Sequence, residues 1–192
     1  WFLRDKFFSA GYDVDDSANA PQISPLARSL WTRLDRFERP VIAAINGHTM
    51  GGGLELSLSC HFRIMTDNPK TKIGLTELNL GIIPGWGGTQ RLPRLLGRAK
   101  ALDMILFSKI VGSKEALEIG LINQVSSPET LLNDAFELSE KLAERPPIAV
   151  SWVLRAMAAG DYEGMESGLQ TESQGSARVR ESKDRIEGFK AF

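Results

Sequence analysis

The sequence predicts an α/β core followed by a mostly helical C-terminal part. Up to about residue 127, short apolar runs alternate with Gly- and Pro-containing turns, which is typical of strands and helices in alternation. Beyond that point apolar residues recur at helical spacing. The chain has 192 residues, 42% of them hydrophobic, which is enough to bury a core. We therefore predict an α/β part over residues 1–127 and a helical part over residues 128–192.

Three segments of the first part read as short strands. Residues 7–10 are a brief apolar run that Gly11 ends, and residues 41–45 are continuously apolar, as in a buried strand. Residues 61–65 form a third such segment. Between the first two, Ser24 and Pro25 predict the start of a helix, with Ser24 as its N-cap.

The helical part shows two amphipathic stripes. These are Leu131, Ala135, Leu138 and Leu142 after Ser127-Pro128, and Ile148, Trp152 and Ala156 after Pro146-Pro147. By contrast, residues 72–88 are rich in Gly and Pro and have no sustained period. A long irregular stretch in a compact domain usually has a functional role.

Charge and composition exclude several classes of protein. The 23 Lys and Arg residues balance 24 Asp and Glu residues, so no general basic field attracts nucleic acid or an anionic membrane. The single cysteine, Cys60, cannot form an internal disulfide, and no apolar run approaches the roughly 20 residues of a membrane span. We expect a cytoplasmic protein with no nucleic-acid, membrane or metal partner.

The most informative segment is Gly51-Gly52-Gly53, followed by Glu55. Consecutive glycines at a helix start let a ligand approach unpaired N–H groups, and Glu55 lies one turn further along the predicted helix. A carboxylate beside an anion-stabilising N-terminus suits a base next to a developing negative charge. The alternative is a tight turn followed by a solvent-exposed glutamate. No Gly-Lys-Ser/Thr follows, so the segment is not a phosphate-binding P-loop.

A second carboxylate, Glu77, lies among apolar residues in the irregular stretch. Partial burial there would raise its pKa. Two carboxylates in unlike environments can supply an acid and a base near neutral pH. Taken alone, Glu77 is equally consistent with an exposed, structural glutamate.

Several motifs together resemble the crotonase (enoyl-CoA hydratase/isomerase) superfamily. They occur in the family's order with compatible spacings and cover nearly the whole chain. The matching segments are residues 8–13 (FSAGYD), 40–47 (PVIAAING), 51–56 (GGGLEL), 80–92 (LGIIPGWGGTQRL) and 116–122 (ALEIGLI).

The resemblance implies an oxyanion hole for an acyl-coenzyme A thioester. Its two backbone N–H donors would be those of Tyr12 and Gly52, and together they would stabilise an enolate oxygen. The remaining substrate-binding positions implied by the family are Ala10, Gly11, Gly51, Pro84, Gly85 and Trp86. For Trp86, packing in the core is the alternative to lining the acyl pocket.

In the hydratase branch of this family two glutamates hold the attacking water, and Glu55 and Glu77 match both. The resemblance therefore implies that water adds to a 2-enoyl-CoA, with Glu55 taking the proton of the water and Glu77 protonating the α carbon. Coenzyme A would be part of the substrate, with no further cofactor. The alternatives are enoyl-CoA isomerisation, another crotonase reaction such as cyclic dienoyl hydration or ring hydrolysis, and an inactive truncated subunit.

Other polar residues near these motifs have simpler interpretations. We expect His48, His61 and Cys60 to be structural, because none has a partner residue at metal-ligand or catalytic spacing. Basic residues near the C-terminus alternate with acidic ones, as on a solvated helix face: Arg178, Arg180, Lys183 and Arg185.

At the level of the fold, the resemblance implies a ββα spiral core and a helical C-terminal part that builds homotrimers or hexamers. Members of the family carry several further strands before the segment that matches residues 8–13. We therefore expect this chain to lack those N-terminal strands of the family fold.

Overall fold

The computed structural model describes residues 6–191, except for the side chain of Ser17. Its strands are β1 (Phe7–Ser9), β2 (Ile42–Ile45), β3 (His48–Met50), β4 (Phe62–Thr66), β5 (Ile73–Gly74), β6 (Ile110–Val111) and β7 (Gln124–Ser126). Its α-helices are α1 (Ala20–Asp35), α2 (Gly52–Leu58), α3 (Gly88–Leu96), α4 (Arg98–Leu106), α5 (Ser113–Glu118), α6 (Leu131–Ala143), α7 (Pro147–Glu163), α8 (Met165–Arg180) and α9 (Lys183–Ala191). Two 3-10 helices, Val14–Asn19 and Glu77–Leu80, complete the described elements.

The strands form two sheets. One has the order β1-β3-β5-β6, with parallel pairing except between β5 and β6, and the other is an all-parallel sheet of order β2-β4-β7. The predicted strands at residues 7–10, 41–45 and 61–65 are confirmed as β1, β2 and β4. Strand β3 was not predicted, because its three residues are too few to establish an alternating pattern.

Helix α1 differs from the prediction at its start. It begins at Ala20 and includes Pro25, so the predicted start with Ser24 as N-cap is wrong. The reason is that the 3-10 helix Val14–Asn19 leads straight into α1. Ser24 therefore lies within helical backbone, whereas an N-cap needs a non-helical conformation. Pro25 gives up one intrahelical hydrogen bond and the helix continues.

The described residues fall into two compact units. One comprises the described residues up to Leu34 together with Val41–Phe136, and the other comprises Asp35–Pro40 with the described residues from Glu137 onward. The predicted division at residue 127 falls inside the first unit, before α6. As a statement about independent domains it stays a prediction.

The hydrophobic core of the first unit surrounds α2, which carries one of the two candidate glutamates. Buried residues of this core include Ile45, Leu54, Met65, Ile73, Leu75, Leu92, Met104 and Leu121. They come from both sheets and from α2, α3 and α4. The short helix α2 is therefore fixed by packing on several elements. No helix of residues 6–191 is long and apolar enough to cross a membrane.

Candidate active site

The N-terminus of α2 is open towards the neighbouring loops. The first backbone hydrogen bond that closes this helix runs from the Glu55 N–H to the Gly51 carbonyl (3.1 Å). The preceding N–H groups of the helix, that of Gly52 among them, therefore have no intrahelical acceptor. Gly51 has a φ of 53°, and its N–H donates to the Gly74 carbonyl (3.0 Å), which ties the turn to β5.

The loop after β1 lies directly against this helix start. Gly11 has a φ of 89°, and a Cβ added to it would stand 2.9 Å from the Met50 carbonyl and 3.1 Å from the Gly52 nitrogen. Only glycine fits this position. Within the described residues the Tyr12 N–H has no hydrogen-bond acceptor. The two N–H groups of the expected oxyanion hole, those of Tyr12 and Gly52, are thus carried by segments in contact.

The indole of Trp86 covers Gly52. A Cβ on Gly52 would stand 2.4 Å from the nearest indole carbon, so the ring packs against the glycine backbone. The same indole meets the ring of Tyr12 edge-on at 5.8 Å between centroids and that of Trp31 at 5.9 Å. An aromatic wall of Tyr12, Trp31 and Trp86 therefore stands beside the open N–H of Gly52. The Tyr12 hydroxyl is engaged elsewhere, donating to the Asp16 carbonyl (2.5 Å).

Glu55 is buried in the first turn of α2, with 2% of its surface exposed. One carboxylate oxygen, Oε1, accepts hydrogen bonds from the N–H groups of Trp86 and Gly88, both at 2.8 Å. Burial raises the pKa of Glu55, while these backbone donors and the charge of Arg91 act in the opposite direction. The carboxyl group is thus held in one place by donors that favour its ionised form.

Glu77 begins the 3-10 helix Glu77–Leu80 and lies close to Gly51. A Cβ on Gly51 would stand 3.2 Å from Oε1 of Glu77. The other oxygen, Oε2, is buried and has no hydrogen-bond partner within the described residues. Burial, with a smaller contribution from the negative charge of Glu55, raises the pKa of Glu77 to about 7. A protonated Glu77 is therefore well populated at neutral pH.

The two carboxyl groups share one site but differ in environment. Glu55 receives backbone N–H donors, whereas Glu77 has a buried oxygen with a free hydrogen-bonding position. Two carboxyl groups in environments as unlike as these can serve as a base and an acid at the same pH. The site can therefore exchange protons with a small molecule bound between the carboxyl groups.

Most of the predicted site residues come together here, and two are less directly involved. Gly11, Tyr12, Gly51, Gly52, Trp86 and both glutamates are linked by the contacts given above. Pro84 is buried and packs on Gly88, 3.0 Å from an added Cβ there. Ala10 and Gly85 are exposed. The roles of all these residues in binding and catalysis stay predictions.

The residues expected to be structural have structural partners. The Nδ1 atom of His48 accepts from the Lys72 N–H (3.2 Å), and that of His61 accepts from the Val41 N–H (2.9 Å). The Cys60 thiol donates to the Leu56 carbonyl (3.6 Å). None of these contacts joins the two-glutamate site. Residues 6–191 contain no cluster of three or more His, Cys, Asp or Glu side chains suited to a metal ion.

Three residues that contact the site were not identified from the sequence. Trp31 completes the aromatic wall from helix α1, Gly88 donates its N–H to Glu55, and Arg91 contributes charge near Glu55. A backbone donor has no side-chain signature, so Gly88 could not have been singled out. For Trp31 no local pattern places the indole next to Trp86, because the two residues are far apart in the chain.

Comparison with known proteins identifies the relatives of this chain. The enoyl-CoA hydratase/isomerase family model matches residues 4–192. The probable enoyl-CoA hydratase of Bacillus subtilis is 38% identical over 194 residues, covering 97% of this chain and 74% of the relative. The short-chain-enoyl-CoA hydratase of Clostridium acetobutylicum is 36% identical, covering 98% of this chain and 73% of the relative.

Solved structures agree with these sequence relatives. The crystal structure of enoyl-CoA hydratase from Bacillus anthracis superposes with a TM-score of 0.89 at 41% sequence identity. The match covers 98% of this chain and 74% of that structure. The expected crotonase-like fold, an α/β core followed by helices, is thereby confirmed.

Proposed function

Since the chain belongs to the enoyl-CoA hydratase/isomerase family, we propose that it is an enoyl-CoA hydratase-like lyase. Such an enzyme adds water to a 2-enoyl-CoA thioester and releases a 3-hydroxyacyl-CoA. The observation that carries the proposal is the pair of buried carboxyl groups, Glu55 held by N–H donors and Glu77 with a pKa of about 7. Relatives named as enoyl-CoA hydratases support the same reaction.

In the proposed reaction one water lies between the two glutamates. Glu55 removes a proton from it as the oxygen bonds to the β carbon, and the π electrons of the double bond move onto the thioester oxygen. Glu77 then protonates the α carbon as the enolate collapses. Glu55 gains one proton and Glu77 loses one, and exchange with solvent restores both groups.

The enolate oxygen would be stabilised by the N–H groups of Tyr12 and Gly52. Backbone donors that are already in place need no reorganisation when the charge develops. The loss of one such donor typically raises the barrier by about 2.7–4 kcal/mol. The thioester oxygen would thus lie at the start of α2, with the acyl group beside the aromatic wall of Tyr12, Trp31 and Trp86.

We also propose that the protein forms homotrimers or hexamers and needs no cofactor beyond the coenzyme A of its substrate. Several large apolar side chains are exposed in the single chain, and association would cover such surface. Examples are Phe107, Met165 and Phe189, at 78%, 76% and 74% exposure. A cytoplasmic location stays an expectation from the sequence.

Substitution of each glutamate tests the assignment. We expect Glu55→Gln and Glu77→Gln each to lower kcat/KM for a short-chain 2-enoyl-CoA by about 10²–10⁴-fold, the usual contribution of a general acid or base. Loss of the ultraviolet absorbance of the enoyl thioester measures the rate. Glu118→Gln, an exposed glutamate on α5, is the matched control and should retain wild-type activity.

The proposal fails if a folded protein, checked by circular dichroism, turns over no 2-enoyl-CoA of any chain length. It fails equally if both glutamine variants keep wild-type rates. The product separates hydration from its alternatives within the family. A 3-hydroxyacyl-CoA is heavier than the substrate by one water, whereas an isomerised product has unchanged mass.

A further inference from the structure

The backbone donors that hold Glu55 come from one short segment, the end of the loop before α3 and the first residue of that helix. The N–H groups of Trp86 and Gly88 donate to Oε1 of Glu55, and the intervening Gly87 N–H also lowers the pKa of this carboxyl group. Three successive N–H groups therefore act on one carboxylate. Such an arrangement requires the peptide planes of the loop to be held in specific orientations, because neighbouring N–H groups in extended chain point in opposite directions.

Arg91 holds the central peptide of this loop. Its Nη1 atom donates to the Trp86 carbonyl at 3.0 Å. That carbonyl and the Gly87 N–H belong to the same trans peptide and point in opposite directions. A hydrogen bond that fixes the carbonyl towards Arg91 therefore turns the Gly87 N–H towards the other side, where Glu55 lies.

Gly87 allows the guanidinium to come this close. It has a φ of 115°, and a Cβ added to it would stand 2.0 Å from Nη1 of Arg91. Any other residue at position 87 would displace the arginine or the loop. The arginine and the glycine thus fit as one arrangement immediately outside the carboxylate.

Arg91 is also the cation whose charge favours the ionised form of Glu55. Within the described residues, Arg91 is the charged side chain that lowers the pKa of Glu55, while the charge of Glu55 in turn raises the pKa of Glu77. The other cation on α3, Arg94, is exposed and donates to the Gln90 carbonyl (2.9 Å). Of the strands packed against α2, β1 has no titratable side chain and β3 has only His48, which accepts from the Lys72 N–H.

We propose that Arg91 is a positioning residue for Glu55. Its guanidinium orients the Trp86–Gly87 peptide, so that the loop presents its N–H groups to the carboxylate and keeps that group ionised as a proton acceptor. The inference deepens the proposed function, and it rests on that function only where Glu55 is said to act as the base. Arg91 acts through the loop and touches no substrate atom.

Three variants on the same helix test the proposal through the pH dependence of kcat/KM for a short-chain 2-enoyl-CoA. Arg91→Met should lower kcat/KM by about 10- to 100-fold, since a displacement of about 1 Å in a catalytic group has effects of this size. The acidic limb of its profile should move to higher pH, because Glu55 loses a favourable charge and oriented donors. Arg91→Lys keeps the charge but lacks the planar guanidinium with its several donors. It should therefore recover part of the lost kcat/KM and part of the shift of the acidic limb. Arg94→Met should match the wild type.

A loss that is equal at every pH, with the acidic limb unmoved, would show a merely structural role and overturn the proposal. Wild-type behaviour of Arg91→Met would overturn it as well.

A second readout is independent of turnover. Carbon-13 NMR follows the titration of the glutamate carboxyl groups, and Glu55→Gln assigns the signal of Glu55. In Arg91→Met this signal should titrate at a higher pH than in the wild type. If the wild type hydrates no enoyl-CoA but the shift is seen, the proposed function fails and the role of Arg91 stands. An unmoved titration rejects that role.

Discussion

The two glutamates of the site could be identified from the sequence, whereas the groups that contact them could not. Both were identified from the sequence because they match a family motif, and burial of Glu77 was expected from its apolar neighbours. Their partners could not be foreseen in the same way. The donors to Glu55 are backbone N–H groups contributed from more than 30 residues further along the chain, at 2.8 Å, and only tertiary structure brings them together.

The raised pKa of Glu77 has a consequence for stability. Its folded value of about 7 lies above the ordinary value of 4.5, so the folded state binds the proton more tightly than the unfolded state. The ionised, buried carboxyl group therefore lowers the free energy of unfolding, and this destabilisation reaches its full size above pH 7. It disappears as the pH falls below 4.5. Activity that needs a proton on Glu77 should decline in the same direction, as the pH rises through 7.

Glu77→Gln should therefore stabilise the protein by about 2 kcal/mol at pH 8, and much less at pH 4. Urea denaturation at the two pH values measures the difference. The exposed Glu118→Gln is the control, for which we expect the same small effect at both. Equal stabilisation by Glu77→Gln at pH 4 and pH 8 would contradict the raised pKa.

Among the elements, strands and helices with strong patterns were the most predictable. Strands β2 and β4 and the helices α6 and α7 lie where apolar runs and stripes placed them. The start of α1 was wrong because a 3-10 helix precedes it, which no cap signal revealed. Large apolar side chains of α1 are also exposed in the single chain, with Leu26 at 60% and Leu30 at 39%.

Helices α7 and α8 pack through small residues, which gives a prediction at the scale of elements. A Cβ on Gly175 would stand 2.8 Å from the Cβ of Trp152 on the facing helix, an atom close to the backbone that cannot move aside. Gly175→Ala should therefore destabilise the protein by about 1–3 kcal/mol, the usual cost of overpacking. Chemical denaturation followed by circular dichroism measures it.

Gly188 on α9 provides the matched control. A Cβ there meets no atom within 4 Å, so Gly188→Ala should be neutral or stabilise the helix by about 0.5–1 kcal/mol. If Gly175→Ala stabilised the protein as much as Gly188→Ala does, α7 and α8 would not pack as described.

For the molecule as a whole, the sequence predicted the α/β core, the helical C-terminal part and the family, and the comparisons confirm the family and the fold. The family motifs could do so because each is a local signature: a glycine turn, a buried strand or a carboxylate on a short helix. Contacts between segments that are far apart in the chain could not be predicted from such local signatures. The contact of Trp31 with Trp86 and the orientation of the loop by Arg91 depend on how segments pack together.

The proposed hydration places one water between Glu55 and Glu77, and the fate of that water is the most direct test. A short-chain 2-enoyl-CoA incubated with the protein in oxygen-18 water should give a 3-hydroxyacyl-CoA with a single heavy oxygen on the β carbon, detected by mass spectrometry. An isomerised enoyl-CoA without label would contradict the account. So would a free carboxylic acid that carries the label in its carboxyl group, because water would then have attacked the thioester carbonyl.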